Sequence, residues 1–106
     1  MSTPGVVARL DVWFVYIAEC ADRTLYTGIA LDVEARIAEH DRGRGARYTR
    51  GRGPLTVRVV RRCHSKGEAL RLEHALKRLP RAQKEKLTSA RRLGAFSRRL
   101  FAATAH

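Results

Sequence analysis

Five side chains spread along this sequence are of types that could share one piece of chemistry. Tyr16 and Tyr26 lie ten residues apart, Arg36 and His40 follow four apart in the stretch LYTGIALDVEARIAEH (25–40), and Glu73 comes later. A guanidinium presents a planar fork of donors that matches a phosphate. An imidazole titrates near neutrality and can pass a proton. A phenol, with an ordinary pKa of about 10, becomes a usable base when a cation beside it lowers that value. A cation and a proton handler on the side of a phenol therefore suit a bound phosphate. Each residue also has a bland alternative. Tyrosine favours strands whatever its role, an Arg–His pair on a helix is ordinarily surface decoration, and Glu73 is placed for an ion pair with Lys77, worth about 0.2–0.5 kcal/mol.

Local elements must bring these residues together. Residues 12–18 are β-branched, aromatic and apolar on both sides, which predicts a central strand. TLYTGIA (24–30) follows after the short ECADR, so the two form a hairpin. The even separation of the tyrosines, with an odd-length loop, could set them opposite each other on one face. Asp32 caps a helix over 33–42, on which Arg36 and His40 lie one turn apart at the margin of the stripe made by Val33 and Ile37. LTVRVVRRC (55–63) is a third strand with Pro54 at its start.

Ser65 and Glu68 form a capping box for a helix over 66–79, where Glu73 borders the stripe Ala69, Leu72, Leu76 and Leu79. Pro80 ends that helix and opens a further short one in RAQKEKLTSARR (81–92). Leu93, Phe96 and Leu100 are spaced for a last amphipathic helix. The order is β-β-α-β-α-α, an α+β fold with a small three-stranded sheet flanked by helices.

A length of 106 residues predicts one domain, placed at 12–88 between an N-terminal lead (1–11) and a basic C-terminal extension (89–106). The longest apolar run, VWFVYIA, is far short of a membrane span, and the N-terminus has no secretory signal pattern. A cytoplasmic protein with no membrane partner and no small-molecule cofactor is expected. Cys20 and Cys63 are expected to be buried thiols, and the histidines lack structural zinc spacing. Lys and Arg total 22 against 10 Asp and Glu, a net charge of +12, which points to nucleic acid as the partner. Arg42, Arg44, Arg47, Arg50 and Arg52 stand among glycines just after the Arg36–His40 helix, where they would collect backbone phosphates. The alternative is a solvated loop decorated with arginine.

In order and spacing the polar positions resemble the GIY-YIG nuclease superfamily. VYI at 15–17 stands where that family has its first triplet and YTG at 26–28 where it has its second, followed by Arg36, His40 and Glu73. Val15 replaces the first glycine, Thr27 replaces the second isoleucine, and Ile29 stands where some members carry a lysine. The resemblance covers about residues 12–88 and is greatest to the small stand-alone bacterial branch.

It implies a metal-dependent endonuclease that hydrolyses phosphodiester bonds in nucleic acid, DNA ahead of RNA, with single-stranded or structured forms ahead of a specific duplex. One divalent ion, Mg²⁺ or Mn²⁺, would be held by Glu73 mostly through its waters. Tyr26 would be the general base, with His40 relaying or polarising its proton and Arg36 clamping a phosphate oxygen. Tyr16 would orient the water or the scissile phosphate, and Gly28 would let the backbone approach. The rival reading is a non-catalytic nucleic-acid-binding module that retains the fold. A third makes the tail RRLGAFSRRLF a membrane-surface or partner helix, although a terminal helix closing the core explains the same spacing.

Overall fold

Strand β1 (Trp13–Glu19) is buried on both faces, with Val15, Tyr16, Ile17 and Ala18 all without exposure. A strand of this composition can only be central. It is flanked by β2 (Leu25–Ala30) and β3 (Thr56–Cys63), both antiparallel to it, in the order β2-β1-β3. The computed structural model describes residues 12–103; the lead (1–11) and residues 104–106 of the extension lie outside the described residues.

Side chains of β1 alternate between two clusters. Val15 and Ile17 pack with Leu25, Val59 and Cys63 against Ala69, Leu72 and Leu76 of helix α2 (Lys66–Lys77) and Leu93 of helix α4 (Ala90–Ala103). Tyr16 and Ala18 point the other way, joining Cys20, Ala30 and Leu55 beneath Val33 and Ile37 of helix α1 (Val33–Asp41). Both cysteines are buried free thiols.

Capping sets the helix starts. The Asp32 carboxylate accepts from the Ala35 amide at 3.0 Å, and the Ser65 hydroxyl accepts from the Glu68 amide at 3.0 Å while Glu68 accepts from the His64 amide at 2.8 Å. Each such cap contributes about 1 kcal/mol. Helix α1 leads into a loop that contains a single 3₁₀ turn, Arg47–Thr49.

The fold class is the expected α+β, and the last helix, expected from Leu93, Phe96 and Leu100, is present as α4 but begins earlier, at Ala90. Residues 81–92, expected as one helix, divide into α3 (Arg81–Lys86) and the start of α4. Thr88 turns its hydroxyl back to the Glu85 carbonyl at 2.7 Å, and the Ser89 hydroxyl accepts from the Arg92 amide at 3.2 Å to begin the next helix. These local side-chain bonds compete with helix continuation. Leu93 is fully buried, with Phe96, Leu100 and Phe101 packed beside it, so α4 closes the core. Among the described residues no helix is long and apolar enough to cross a membrane.

Candidate active site

The β1–β2 register decides how the two tyrosines meet. Tyr16 pairs with Gly28 and Tyr26 with Ala18, so the tyrosines share a face as diagonal neighbours and do not stand directly opposite. Their ring centroids lie 6.2 Å apart. The reason is the connection after Glu19, which closes through Cys20 N–H to the Thr24 carbonyl at 2.8 Å, with Asp22 accepting from the Thr24 amide and hydroxyl. Gly28 thereby faces the Tyr16 ring. A Cβ on Gly28 would come within 2.6 Å of Tyr16 Oη. The space expected to admit a substrate at Gly28 is therefore taken by a phenol of the protein itself.

Tyr16 is wholly buried, and its hydroxyl lies 3.1 Å from His40 Nε2. His40 Nδ1 lies 2.6 Å from the Thr49 hydroxyl, which is itself 2.9 Å from the Ala46 carbonyl. Thr49 has one hydroxyl hydrogen, and the carbonyl can only accept it. Thr49 must then accept from His40 Nδ1–H, which leaves Nε2 with its lone pair to accept the Tyr16 proton. One tautomer thus follows from a chain of single donors. Burial first, then the positive charge of Arg36, holds His40 below its ordinary value, so the ring is neutral. Gly45 makes room for it: an added Cβ there would sit 1.9 Å from His40 Nδ1.

These contacts correct two expected roles. His40 is hydrogen-bonded to Tyr16, and meets Tyr26 only ring to ring, at 5.1 Å between centroids and 66° between planes. Tyr16, expected to orient the water or the phosphate, is fully enclosed. Tyr26 is the half-buried phenol at the surface of the site. Burial raises the pKa of both phenols, that of Tyr16 far up, with the Glu73 charge adding to the rise and Arg36 opposing it. Arg36 also holds Glu39 at 3.1 Å.

Glu73 comes from the opposite layer. Helix α2 covers the other face of the sheet, and Glu73 and Lys77 act on the phenols past the edge strand β2. Lys77 Nζ lies 5.9 Å from the Tyr26 ring centroid and 3.3 Å from the Glu73 carboxylate. Arg36 and Glu73 both act on the two phenols, and Arg36 acts on His40 as well, although the bland ion pair for Glu73 is also made.

The arginine loop divides. Arg42, Arg44, Arg47 and Arg50 are exposed, without an acidic partner among the described residues. Arg52, expected to bind phosphate with them, is instead taken up by an ion pair at the surface. It pairs with Asp22 at 2.8 Å and lies 4.4 Å from the centroid of the Tyr48 ring, which stacks on Tyr26 at 5.8 Å. Tyr48 and Thr49 were not singled out from the sequence. Their signal was a hydroxyl-bearing pair amid the arginines and glycines of RGRGARYTRGRG.

The sequence pattern of the GIY-YIG catalytic domain matches residues 12–86. A UPF0213 protein of Halobacterium salinarum is 55% identical over 73 residues, covering 69% of this chain and 95% of that protein. One from Natronomonas pharaonis is 51% identical over 76 residues, covering 72% and 89%. A solution NMR structure of a UPF0213 protein from Bacillus halodurans is 41% identical and covers 78% of this chain and 93% of that one, with a TM-score of 0.49. With that pattern matched over residues 12–86 and relatives more than half identical, the chain belongs to the GIY-YIG catalytic domain family, a family of nucleases.

Proposed function

We propose that this protein is an endonuclease that hydrolyses phosphodiester bonds in DNA, single-stranded or structured in preference to a specific duplex sequence, with one divalent ion, Mg²⁺ or Mn²⁺. The observation that carries the reading is the asymmetry of the two phenols. Tyr16 is enclosed and held by His40, whereas Tyr26 stands at the surface between the charges of Arg36 and Glu73.

Glu73 is the residue that would hold the ion. Among the described residues no three metal-ligating side chains gather, and a lone, largely enclosed carboxylate suits an ion that keeps most of its water. Such an ion, when bound, supplies positive charge to the phosphate and the leaving oxygen. Lys77 holds the carboxylate in its absence.

The chain's own groups account for the rest. Tyr26 takes the proton of the attacking water; as its pKa is raised, only a small phenolate fraction exists at neutral pH, and Arg36 is the cation that enlarges it. Arg36 also donates to a phosphate oxygen. His40, neutral and fixed in one tautomer, holds Tyr16, and their packed rings hold Tyr26 in place. The test is a panel of labelled single-stranded, duplex and branched DNA and RNA, with Mg²⁺ or Mn²⁺ and with chelator. Cleavage should need the ion and be lost in Glu73→Ala, with affinity for the strand retained. Binding without cleavage of any member by the wild-type protein would leave the non-catalytic module as the correct reading.

A further inference from the structure

Beside Tyr26 the edge of β2 opens into a cavity of about 360 Å³ lined by Leu25, Tyr26, Thr27, Tyr48, Lys77 and Lys84. It brings two ammonium groups from different helices, α2 and α3, to one small space. Lys77 is tied to Glu73. Lys84 has no acidic partner among the described residues, and burial, with the like charge of Lys77, pushes its ammonium below the usual lysine range. Two like charges held together in a partly enclosed place are an arrangement that an anion stabilises. On the same lining, Tyr48 is stacked on Tyr26 and has the Arg52 guanidinium 4.4 Å from its ring centre. Thr27, also on the lining, is 1% exposed, and its Oγ1 has no hydrogen-bond partner among the described residues.

We propose that this cavity is a subsite for the phosphate neighbouring the one at Tyr26 on the same strand, with Lys84 and Lys77 as its cations and Tyr48 as the wall against the intervening nucleoside. The proposal rests on the nuclease reading for the position of the reacting phosphate and goes beyond it in giving the strand a direction, over the β2 edge toward α3. A second cavity of about 260 Å³, lined by Thr24, Leu25, Tyr48, Arg81 and Lys84, adjoins on that side.

The test is binding of a fluorescent single-stranded oligonucleotide in chelator, with one neutral methylphosphonate linkage walked along it. In the wild-type protein the neutral linkage should weaken binding at each phosphate that meets a cation, Arg36, Arg47 and Arg50 included, and at the one facing Lys84 by about five- to tenfold, as removal of a charge-assisted hydrogen bond does. Lys84→Gln should bind the all-phosphate strand about that much more weakly and be indifferent to the neutral linkage at that position. Lys84→Arg should restore the sensitivity. Effects of Lys84→Gln and the neutral linkage that simply add at every position would overturn the subsite. So would inorganic phosphate that competes with the strand through Lys84 alone, which would mark a free-anion site. Cleavage of the unmodified strand with Mg²⁺ is read separately. If it fails while the coupling holds, the nuclease reading falls and the subsite stands as part of a strand-binding groove.

Discussion

The two faces of the sheet are made from alternate residues of the same strand, yet they are built on different principles. Val15 and Ile17 face a layer in which Leu72, Leu76, Ala69 and Leu93 are wholly buried and contribute only area and shape. Tyr16 faces a smaller layer whose centre is polar, with the phenol, imidazole, Thr49 hydroxyl and Ala46 carbonyl linked one donor to one acceptor. Apolar packing accepts rearrangement at a modest cost, since any neighbour of the right volume will serve. A chain of single hydrogen bonds does not, because removal of one link reorients the next. The period of two in a strand is therefore enough to separate stability from chemistry. Glu73 and Lys77, from the helix of the first layer, come close to Tyr26 on the edge strand β2.

Substitutions on either side of β1 should part company. Leu72→Ala removes a fully buried side chain and should cost about 2–5 kcal/mol of stability, while cleavage per folded molecule, measured well below the unfolding midpoint, stays near wild type. Thr49→Val keeps the shape but leaves His40 Nδ1–H without an acceptor, for about 1–3 kcal/mol. It should also lower cleavage at least about tenfold, in the range that a misplaced acid–base group costs, because the other tautomer can no longer accept from Tyr16. Nitrogen chemical shifts of His40 read the tautomer directly. Wild-type cleavage in Thr49→Val would mean that the polar layer is only another kind of core.

How much of this was readable in the sequence differs between the faces in the same way. The strands and the caps at Asp32 and Ser65 follow from local pattern, and the five polar positions were picked out by their resemblance in order and spacing to a known family. The pairing of Tyr16 with Gly28 does not, because it depends on how Asp22 and Thr24 close the hairpin, and loop length alone leaves the register open. Nor was the pairing of Arg52 visible, since Asp22 is 30 positions away in the chain. Thr49 looked like part of a solvated loop and is completely buried. Loop residues have no periodicity to announce which surface they fold onto, so a threonine amid arginines shows its role only when His40 is beside it. The helix break after Lys86 was likewise hidden in the bond from the Thr88 hydroxyl to the Glu85 carbonyl.

Acid offers a gentler way to separate the layers. The groups acting on His40 are Tyr16, Thr49, Tyr26, Arg36, Glu39 and Asp41. Burial and Arg36 hold it below the 6.5 of a free histidine, against the smaller opposing effect of Asp41 and Glu39. The unfolded chain therefore binds this proton more readily than the folded one. Stability is complete above about pH 6.5, and falls as pH drops through that value toward the lowered folded-state pKa. Unfolding midpoints should decline over this window in the wild type and less steeply in His40→Gln, whereas Leu72→Ala should shift the midpoints and leave their pH dependence alone. Equal slopes in wild type and His40→Gln would mean that the imidazole is not held neutral.

The smallest effect on stability belongs to the arginine loop, where surface substitutions change it by less than about 0.5 kcal/mol; its effect is on the salt dependence of binding. We propose that Arg47 and Arg50, exposed and unpaired by any acid among the described residues, meet backbone phosphates, whereas Arg52 is already neutralised by Asp22. Arg47→Gln with Arg50→Gln should flatten the plot of log K against log salt by roughly 0.7–0.9 for each phosphate that is no longer neutralised, similarly for all sequences, with single-turnover cleavage little changed once the strand is saturating. Arg52→Gln should leave that slope nearly intact and instead loosen Tyr48, which is deprived of the guanidinium 4.4 Å from its ring centre. Its cost should therefore appear as a lower affinity that salt does not amplify. Binding titrations at several salt concentrations separate the two. If Arg52→Gln took away the salt dependence and the double variant did not, the paired arginine would be the one that meets phosphate and the unpaired ones a solvated surface.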